Sequence, residues 1–203
     1  MEEKKQLPVI TISRQYGAGG RSVAKVLSER LDLKYYDLDF IRLTAKVSGY
    51  SEDEIKREGE DLPESTKFIS RFLTTASFSN SYDEIYQAQK AVILGLAKEP
   101  CIIVGRCSNI ILREAGIKTF DVFLTADKEF RIRRATELAE NGTMDVEKYV
   151  ERRDHWRATY YKAYTNHEFG SAADYNLCLD LSFFGIEGAA ELIEQILTKK
   201  QQF

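Results

Sequence analysis

The amino-acid sequence predicts an α/β fold of three layers, in which a five-stranded parallel sheet lies between helices. Two observations predict it. Short apolar runs alternate with helical patterns along the chain, and the first apolar run ends at a glycine-rich turn that leads straight into a helix. Strands that alternate with helices form parallel sheets, because each crossover helix returns the chain to the same end of the sheet. With 203 residues, 43% of them hydrophobic, the chain can bury one sizeable core.

The strands and helices follow in a regular order. The runs predicted to be strands are 9–13, the short pair 35–36, 101–104, 120–124 and 176–181. The helical patterns are 21–31, 82–97, 128–139 and 186–199. In sheets of this kind, ligands bind beyond the carboxyl ends of the strands. We therefore expect the functional side chains directly after these runs.

The turn after the first strand has the composition of a phosphate-binding loop. Backbone N–H groups of such a loop, with the N-terminus of the following helix, can bind phosphate. The usual P-loop, G-x-x-x-x-G-K-[ST], adds a Lys for the outer phosphates and a hydroxyl for Mg²⁺. When Gly17 and Gly19 are aligned with the end of that motif, Gly20 stands at the lysine position and Arg14 at the first glycine position. Glycine-rich turns also follow strands that bind nothing, so the motif alone leaves both interpretations open.

Polar side chains follow two further strands. Gly105 and Arg106 come after the run 101–104, and an arginine there is expected to face the cleft. The alternative is a surface arginine beside a turn. Asp37, with Asp39 behind it, follows the pair 35–36. A carboxylate at this point could hold Mg²⁺ through water or accept a hydroxyl proton. It could equally cap a helix beginning at Leu38, and the two roles are compatible.

The segment after the run 120–124 carries Arg131, Arg133 and Arg134 in the first turns of a helix. Positive charges there oppose the helix dipole, and Asp127 and Glu129 offset them only in part. The planar fork of arginine suits phosphate oxygens, so an anion is the expected partner.

A second arginine-rich segment covers residues 151–164. On a helix, Arg153, Arg157 and Tyr160 or Tyr161 share one face, and Asp154 lies three residues before Arg157. A solvated, ion-paired surface helix explains a charge run of this kind equally well. The interleaved aromatic residues and the late position favour a closing lid whose arginines stabilise a transferring phosphoryl group. Core packing of the lid explains the tyrosines as well as base stacking does.

Composition excludes several classes of protein. The net charge of −3 gives no overall basic surface for nucleic acid, and no apolar run approaches the ~20 residues of a membrane span. Two histidines make histidine-based metal or triad chemistry unexpected. The three cysteines, Cys101, Cys107 and Cys178, show no metal-ligand spacing and are expected to be reduced core residues of a cytoplasmic protein.

Taken together, these motifs resemble the cytidylate kinase-like family, a branch of the P-loop nucleoside monophosphate kinases. The resemblance rests on the loop at 13–22, Tyr35-Tyr36-Asp37, Val104-Gly105-Arg106, the segment 124–131, and Asp154-x-x-Arg157-x-x-Tyr160-Tyr161. It implies a three-layer P-loop kinase fold in one domain with two helical insertions. The core would be 7–37, 91–140 and 174–203, the acceptor-binding insertion 38–90, and the lid 141–173.

The resemblance also implies roles for particular residues. In that family, arginines matching Arg106 and Arg131 hold the acceptor phosphate, and residues matching Asp154 and Arg157 face the acceptor nucleotide. Beyond what the resemblance implies, we expect Asp37 to order a Mg²⁺-bound water or the acceptor, and Arg153 to close over the transferring group with Arg157. The residues expected to bind the donor are Ser13, Arg14, Gln15, Tyr16, Gly17, Ala18, Gly19, Gly20, Arg21 and Ser22.

The first hypothesis is therefore a kinase that uses ATP and Mg²⁺ to phosphorylate CMP, dCMP or a similar small acceptor. Ser22 would supply the Mg²⁺ hydroxyl, and Arg21 would replace the missing lysine. A nucleotide-binding regulatory module that has lost catalysis is the second hypothesis, supported by Gly20 at the lysine position. The retained arginines favour the kinase, and a different small acceptor is a third possibility. The expected partners are small nucleotide substrates, with no nucleic acid and no membrane, and the oligomeric state stays open.

Overall fold

The computed structural model describes residues 7–37, 39–53, 55 and 81–199. Within them lies a five-stranded sheet in the order β2-β3-β1-β4-β5, and all its neighbouring strands run parallel. The strands are β1 Val9–Arg14, β2 Tyr35–Tyr36, β3 Ile102–Val104, β4 Thr119–Thr125 and β5 Leu177–Asp180. The predicted fold class is confirmed, and the predicted strands lie within one or two residues of the observed ones.

Helices connect the strands. They are α1 Gly20–Leu31, α2 Asp39–Ser48, α3 Ser81–Leu96, α4 Ser108–Glu114, α5 Lys128–Leu138, α6 Val146–Thr165 and α7 Leu181–Lys199, with a 3₁₀ turn at Ala172–Asp174. The sequence patterns did not predict α4, a helix of seven residues directly after β3. Helix α7 also begins earlier than predicted, because a break at Gly185 (φ 64°) divides it and the pattern shows only the part beyond that break.

Alternation along β1 explains the three layers. Ile10 and Ile12 point into one core with the apolar face of α1 and with α7, whereas Val9 belongs to a second core with α3, α4 and α6. Successive side chains of a strand point to opposite faces, so a strand buried on both faces reads as an uninterrupted apolar run. The side chain of Thr11, also fully buried, satisfies its hydroxyl by donating to Asp121 Oδ1 at 2.6 Å.

The structure describes all of the predicted lid but only part of the predicted acceptor-binding insertion. Of the acceptor-binding insertion 38–90, residues 38, 54 and 56–80 lie outside the described residues, and α2 packs against α3 in the remainder. In the predicted lid 141–173 the principal element is α6. Asp145 caps it by accepting a hydrogen bond from the backbone N–H of Lys148 at 3.1 Å. None of the helices in the described ranges is long and apolar enough to cross a membrane.

One cysteine departs from its prediction. Cys101 and Cys107 are buried as expected, but Cys178 is exposed. It lies on β5, an edge strand of the sheet. The prediction of a core position was wrong because an apolar strand pattern does not reveal whether the strand lies at the centre or at the edge of its sheet.

Candidate active site

The glycine loop lies between the end of β1 and the start of α1. Gly17 (φ 77°) and Gly19 (φ 86°) adopt left-handed conformations, which glycine reaches without steric cost. A Cβ at Gly17 would lie well under 3.0 Å from the Arg131 carbonyl oxygen. The backbone of the loop therefore packs directly against the backbone of α5 at this point. Gly19 is the N-cap of α1 and supplies no side-chain hydrogen bond. The first N–H groups of α1 therefore have no side-chain cap and suit an anion.

Contacts with neighbouring elements hold the loop in place. The Gln15 N–H donates to the Leu124 carbonyl at 3.0 Å, and the Thr125 hydroxyl donates to the Gln15 side-chain oxygen. The Tyr16 N–H donates to Asp154 Oδ1 at 2.6 Å, and the other oxygen of Asp154 accepts from Arg131. Asp154 therefore joins the loop to both α5 and α6.

Two cavities meet at the end of β1. The first, which we name the loop cavity, is lined by the glycine loop, by five arginines and by the single carboxylate Glu140; the arginines are Arg14, Arg21, Arg134, Arg153 and Arg157. The second, which we name the strand-end cavity, is lined by Ser13, Arg14, Gly105, Arg106, Cys107, Trp156, Arg157, Tyr160, Tyr161 and Phe169. Arg14 and Arg157 line both cavities. The described residues thus form two adjoining sites that share two cations.

Burial among like charges makes this cluster electrostatically costly. Burial lowers the pKa of Arg157 to about 10, and Arg153 beside it adds to that effect. Burial likewise lowers the pKa of Arg153 to about 10 and that of Arg106 below its ordinary range. The buried Nε atom of Arg134, which lines the loop cavity, has no hydrogen-bond acceptor among the described residues. An anion with several oxygens would relieve both conditions.

The predicted site residues fall into two groups. Arg106, Arg153 and Arg157 line the cavities. Arg131 instead binds Asp154, its side chain is only 13% exposed, and it is absent from the lining of both cavities. Arg157 donates to the Arg14 carbonyl at 3.2 Å rather than to Asp154. Asp37 accepts from Arg21 and lies 3.7 Å from Arg14.

Two residues at the loop cavity were not assigned roles from the sequence. Arg134 donates to Ser22 Oγ at 3.1 Å, and Glu140 accepts from the Tyr16 hydroxyl at 2.6 Å. The arginine run at the start of α5 already signalled an anion site, but its helical phase did not show which arginine reaches the loop. Glu140 carried no signal, because it lies beyond the end of α5 in a polar stretch.

A parallel sheet with a glycine loop between β1 and α1, and with cations at the carboxyl ends of the strands, defines the P-loop kinase fold. Residues 9–183 match the Cytidylate kinase-like family. The chain therefore belongs to that family. A protein named cytidylate kinase from Archaeoglobus fulgidus is 24% identical over 193 residues, which are 95% of this chain and 96% of that protein.

Solved structures share the fold. An uncharacterized protein from Eubacterium ventriosum superposes with a TM-score of 0.65 at 22% identity, over 94% of this chain and 98% of that one. A shikimate kinase from Acinetobacter baumannii, in complex with shikimate, gives 0.57 at 15% identity, over 97% and 96%. At these identities the likeness concerns the fold alone. The chain is kinase-like in both family and fold.

Proposed function

We propose that the protein is a phosphotransferase that moves the γ-phosphate of ATP to a nucleoside monophosphate, with CMP or dCMP as the first candidates. The observation that carries this proposal is the pair of adjoining cavities that share Arg14 and Arg157. A kinase must hold two anionic substrates side by side while charge spreads over the transferring group. Positioning and positive charge supply most of the catalysis in such reactions.

The loop cavity is the proposed donor site. The loop residues 13–22 and the N-terminus of α1 suit the donor phosphates, and Arg134 and Arg153 add positive charge. Bound Mg²⁺ would neutralise phosphate charge. Ser22 is its proposed protein ligand and Asp37 would hold its waters. Among the described residues no cluster of three or more His, Cys, Asp or Glu could hold a metal.

The strand-end cavity is the proposed acceptor site. Arg106 and Arg157 would hold the acceptor phosphate, while Trp156, Tyr160 and Phe169 offer apolar surface for the rest of the molecule. The Tyr160 hydroxyl already donates to Gln89 at 2.8 Å, which fixes its ring. Arg131 and Asp154 would act by positioning the glycine loop, through their mutual ion pair and the Tyr16 N–H.

A regulatory module without catalysis is the second candidate, and Gly20 at the lysine position favours it. Five arginines at one cavity weigh against it, because unneeded buried charge destabilises a protein and is readily lost. The two candidates make different predictions for turnover but the same prediction for nucleotide binding.

The test is transfer from γ-labelled ATP with Mg²⁺ to a panel of CMP, dCMP, UMP, AMP and GMP, with the products separated by chromatography. A labelled diphosphate supports the kinase and identifies the acceptor. Calorimetry with ATP runs in parallel. Binding without product from any acceptor would favour the regulatory module, and absence of binding would overturn both. The Arg30→Met variant is the matched control, because Arg30 lies on α1 and pairs with Glu194 outside both cavities.

A further inference from the structure

The side chain of Arg14 passes between two glycines. A Cβ on Gly20 would lie 2.8 Å from Arg14 Cγ and 3.2 Å from Cδ. A Cβ on Gly105 would meet the guanidinium itself, well inside van der Waals contact. Real Cβ atoms essentially never approach other atoms to under 3.0 Å, so a side chain at either position would displace Arg14.

The backbone explains one of these glycines but not the other. Gly105 has φ 78°, a conformation that favours glycine by itself. Gly20 is the first residue of α1 and is not among the positive-φ residues. Its backbone would accept most residues, and glycine in a helix is mildly unfavourable. The requirement for glycine at position 20 therefore comes from Arg14, whose methylene groups fill the space next to it.

Position 20 is the one at which the usual P-loop carries its lysine, since that lysine follows the last glycine of the loop and opens the helix. In this chain the helix opens at Gly20, and the neighbouring space holds a cationic side chain that arrives from the end of β1. The Arg14 side chain is 13% exposed and lies at both cavities. Burial and the nearby Arg157 lower its pKa well below the ordinary value, and Asp37, 3.7 Å away, offsets this only in part.

We propose that Arg14 is the phosphate-bridging cation of this site and takes the place of the P-loop lysine absent at Gly20. This inference rests on the proposed function. Arg14 lines both cavities. Its planar guanidinium would therefore donate to oxygens of the donor phosphates on one side and of the acceptor phosphate on the other. Gly20 and Gly105 are positioning residues that leave room for it.

Arg21, the cation expected from the sequence, is differently placed. Its side chain is 43% exposed, and its guanidinium binds Asp37 and lies 3.5 Å from Glu140. An arginine held by two carboxylates has less charge to offer a phosphate. In this arrangement Arg21 holds Asp37 at the edge of the loop cavity, and Arg14 supplies the cation.

The first experiment compares two matched variants, Arg14→Met and Arg21→Met, for turnover and for ATP binding by calorimetry. We expect Arg14→Met to lower kcat by about 10²-fold or more, in the range found when a charge-stabilising donor is removed. Arg21→Met should cost less than about tenfold, because its charge is already paired. The reverse order would overturn the inference and return the role to Arg21.

The second experiment moves the cation. Gly20→Lys alone should lose activity, because the new side chain and Arg14 need the same space. The Arg14→Ala/Gly20→Lys double variant should regain at least about tenfold over Arg14→Ala, because the lysine then stands in its usual place. Circular dichroism checks that the double variant is folded. If the folded double variant recovers no activity, the lysine and Arg14 do not share a position.

A third measurement does not need turnover. Gly20→Ala should lower Tm by about 5 °C in the parent and by less than about 2 °C in an Arg14→Ala background, because the added Cβ then meets no side chain.

Calorimetry with inorganic tripolyphosphate also needs no turnover. It should show that Arg14→Met binds this anion at least about tenfold more weakly than Arg21→Met does. If the parent transfers no phosphate, the proposed function fails while these two readouts still decide the role of Arg14. Equal Tm losses in both backgrounds, or equal binding of tripolyphosphate by the two variants, would overturn the inference about Arg14.

Discussion

Removal of the Arg157 side chain from α6 should make the ligand-free protein more stable. The pKa of Arg157 falls from its ordinary value to about 10, through burial first and Arg153 second. At about 1.4 kcal/mol for each pKa unit, keeping this guanidinium charged near pH 7 costs the folded state about 3 kcal/mol. Its replacement by methionine removes that cost and preserves much of the apolar stem.

The substitution also loses two interactions. Arg157 donates to the Arg14 carbonyl at 3.2 Å, and a hydrogen bond of this kind contributes about 1 kcal/mol. Its guanidinium also lies over the Tyr16 ring, 5.3 Å from the ring centroid, a contact that contributes about 0.5–1 kcal/mol. The expected net gain for Arg157→Met is therefore about 1–2 kcal/mol in the free energy of unfolding, or roughly 2–8 °C in Tm for a domain of this size. The pH dependence of this cost follows because Arg157 is a basic group whose pKa is lower in the folded state than in the unfolded state. The cost is complete below about pH 10 and fades as the pH rises from there towards the ordinary pKa of arginine, so the variant's advantage shrinks at high pH.

Urea unfolding at pH 7, without phosphate or nucleotide, measures this difference. Arg30→Met is the control, because Arg30 is exposed and paired with Glu194 at 2.9 Å, and its loss should leave stability close to that of the parent. Saturating tripolyphosphate should reverse the order of parent and variant, because the anion then stabilises the parent more. A variant less stable than the parent in the absence of anions would refute the view that this cluster is strained until it binds.

Three further results are expected. Gly17→Ala should destabilise the protein by more than about 2 kcal/mol in urea unfolding, because its Cβ would meet the Arg131 carbonyl and its φ is 77°. Gly95→Ala, in an open position on α3, should instead gain about 0.5–1 kcal/mol, and equal effects would contradict this explanation. Asp174→Ala should cost about 2 kcal/mol, because the buried carboxylate accepts from Arg113 and lies 3.0 Å from His167 Nδ1; a loss no larger than that of exposed Glu187→Ala would argue against it. Tripolyphosphate should raise the Tm of the parent by several degrees, and about 1 M KCl should reduce this shift; a shift unaffected by salt would show that charge does not drive it.

Much of the fold could be predicted from local patterns. The buried run of β1 and the glycines of the loop lie within a dozen residues of one another, so the strand–loop–helix unit follows from the sequence alone. The helical period similarly indicated α3, α5 and the later part of α7. Helix α4 was not predicted because it has only seven residues and contains the buried apolar run Ile110–Leu112. A short apolar run of this kind is as typical of a strand as of a helix.

The partners of charged residues could not be predicted in the same way. The sequence placed Asp154 near Arg157 by helical spacing, whereas the structure pairs it with Arg131 on another helix. It assigned the replacement cation to Arg21, the neighbour of Gly20 in the chain, whereas Arg14 lies against Gly20 in space. Both differences arise because contacts between elements depend on the strand order.

The sequence by itself determined the parallel sheet, the position of the phosphate loop and the set of arginines available to it. These features depend on hydrophobic period and glycine conformation, which act over a few residues. Only the tertiary structure decided which arginine side chain lies against Gly20, which carboxylates bind Arg21 and Arg131, and that Cys178 lies on an edge strand. The order β2-β3-β1-β4-β5 places Gly105 after β3 and α5 after β4 on either side of β1, and the path of the Arg14 side chain follows from that arrangement.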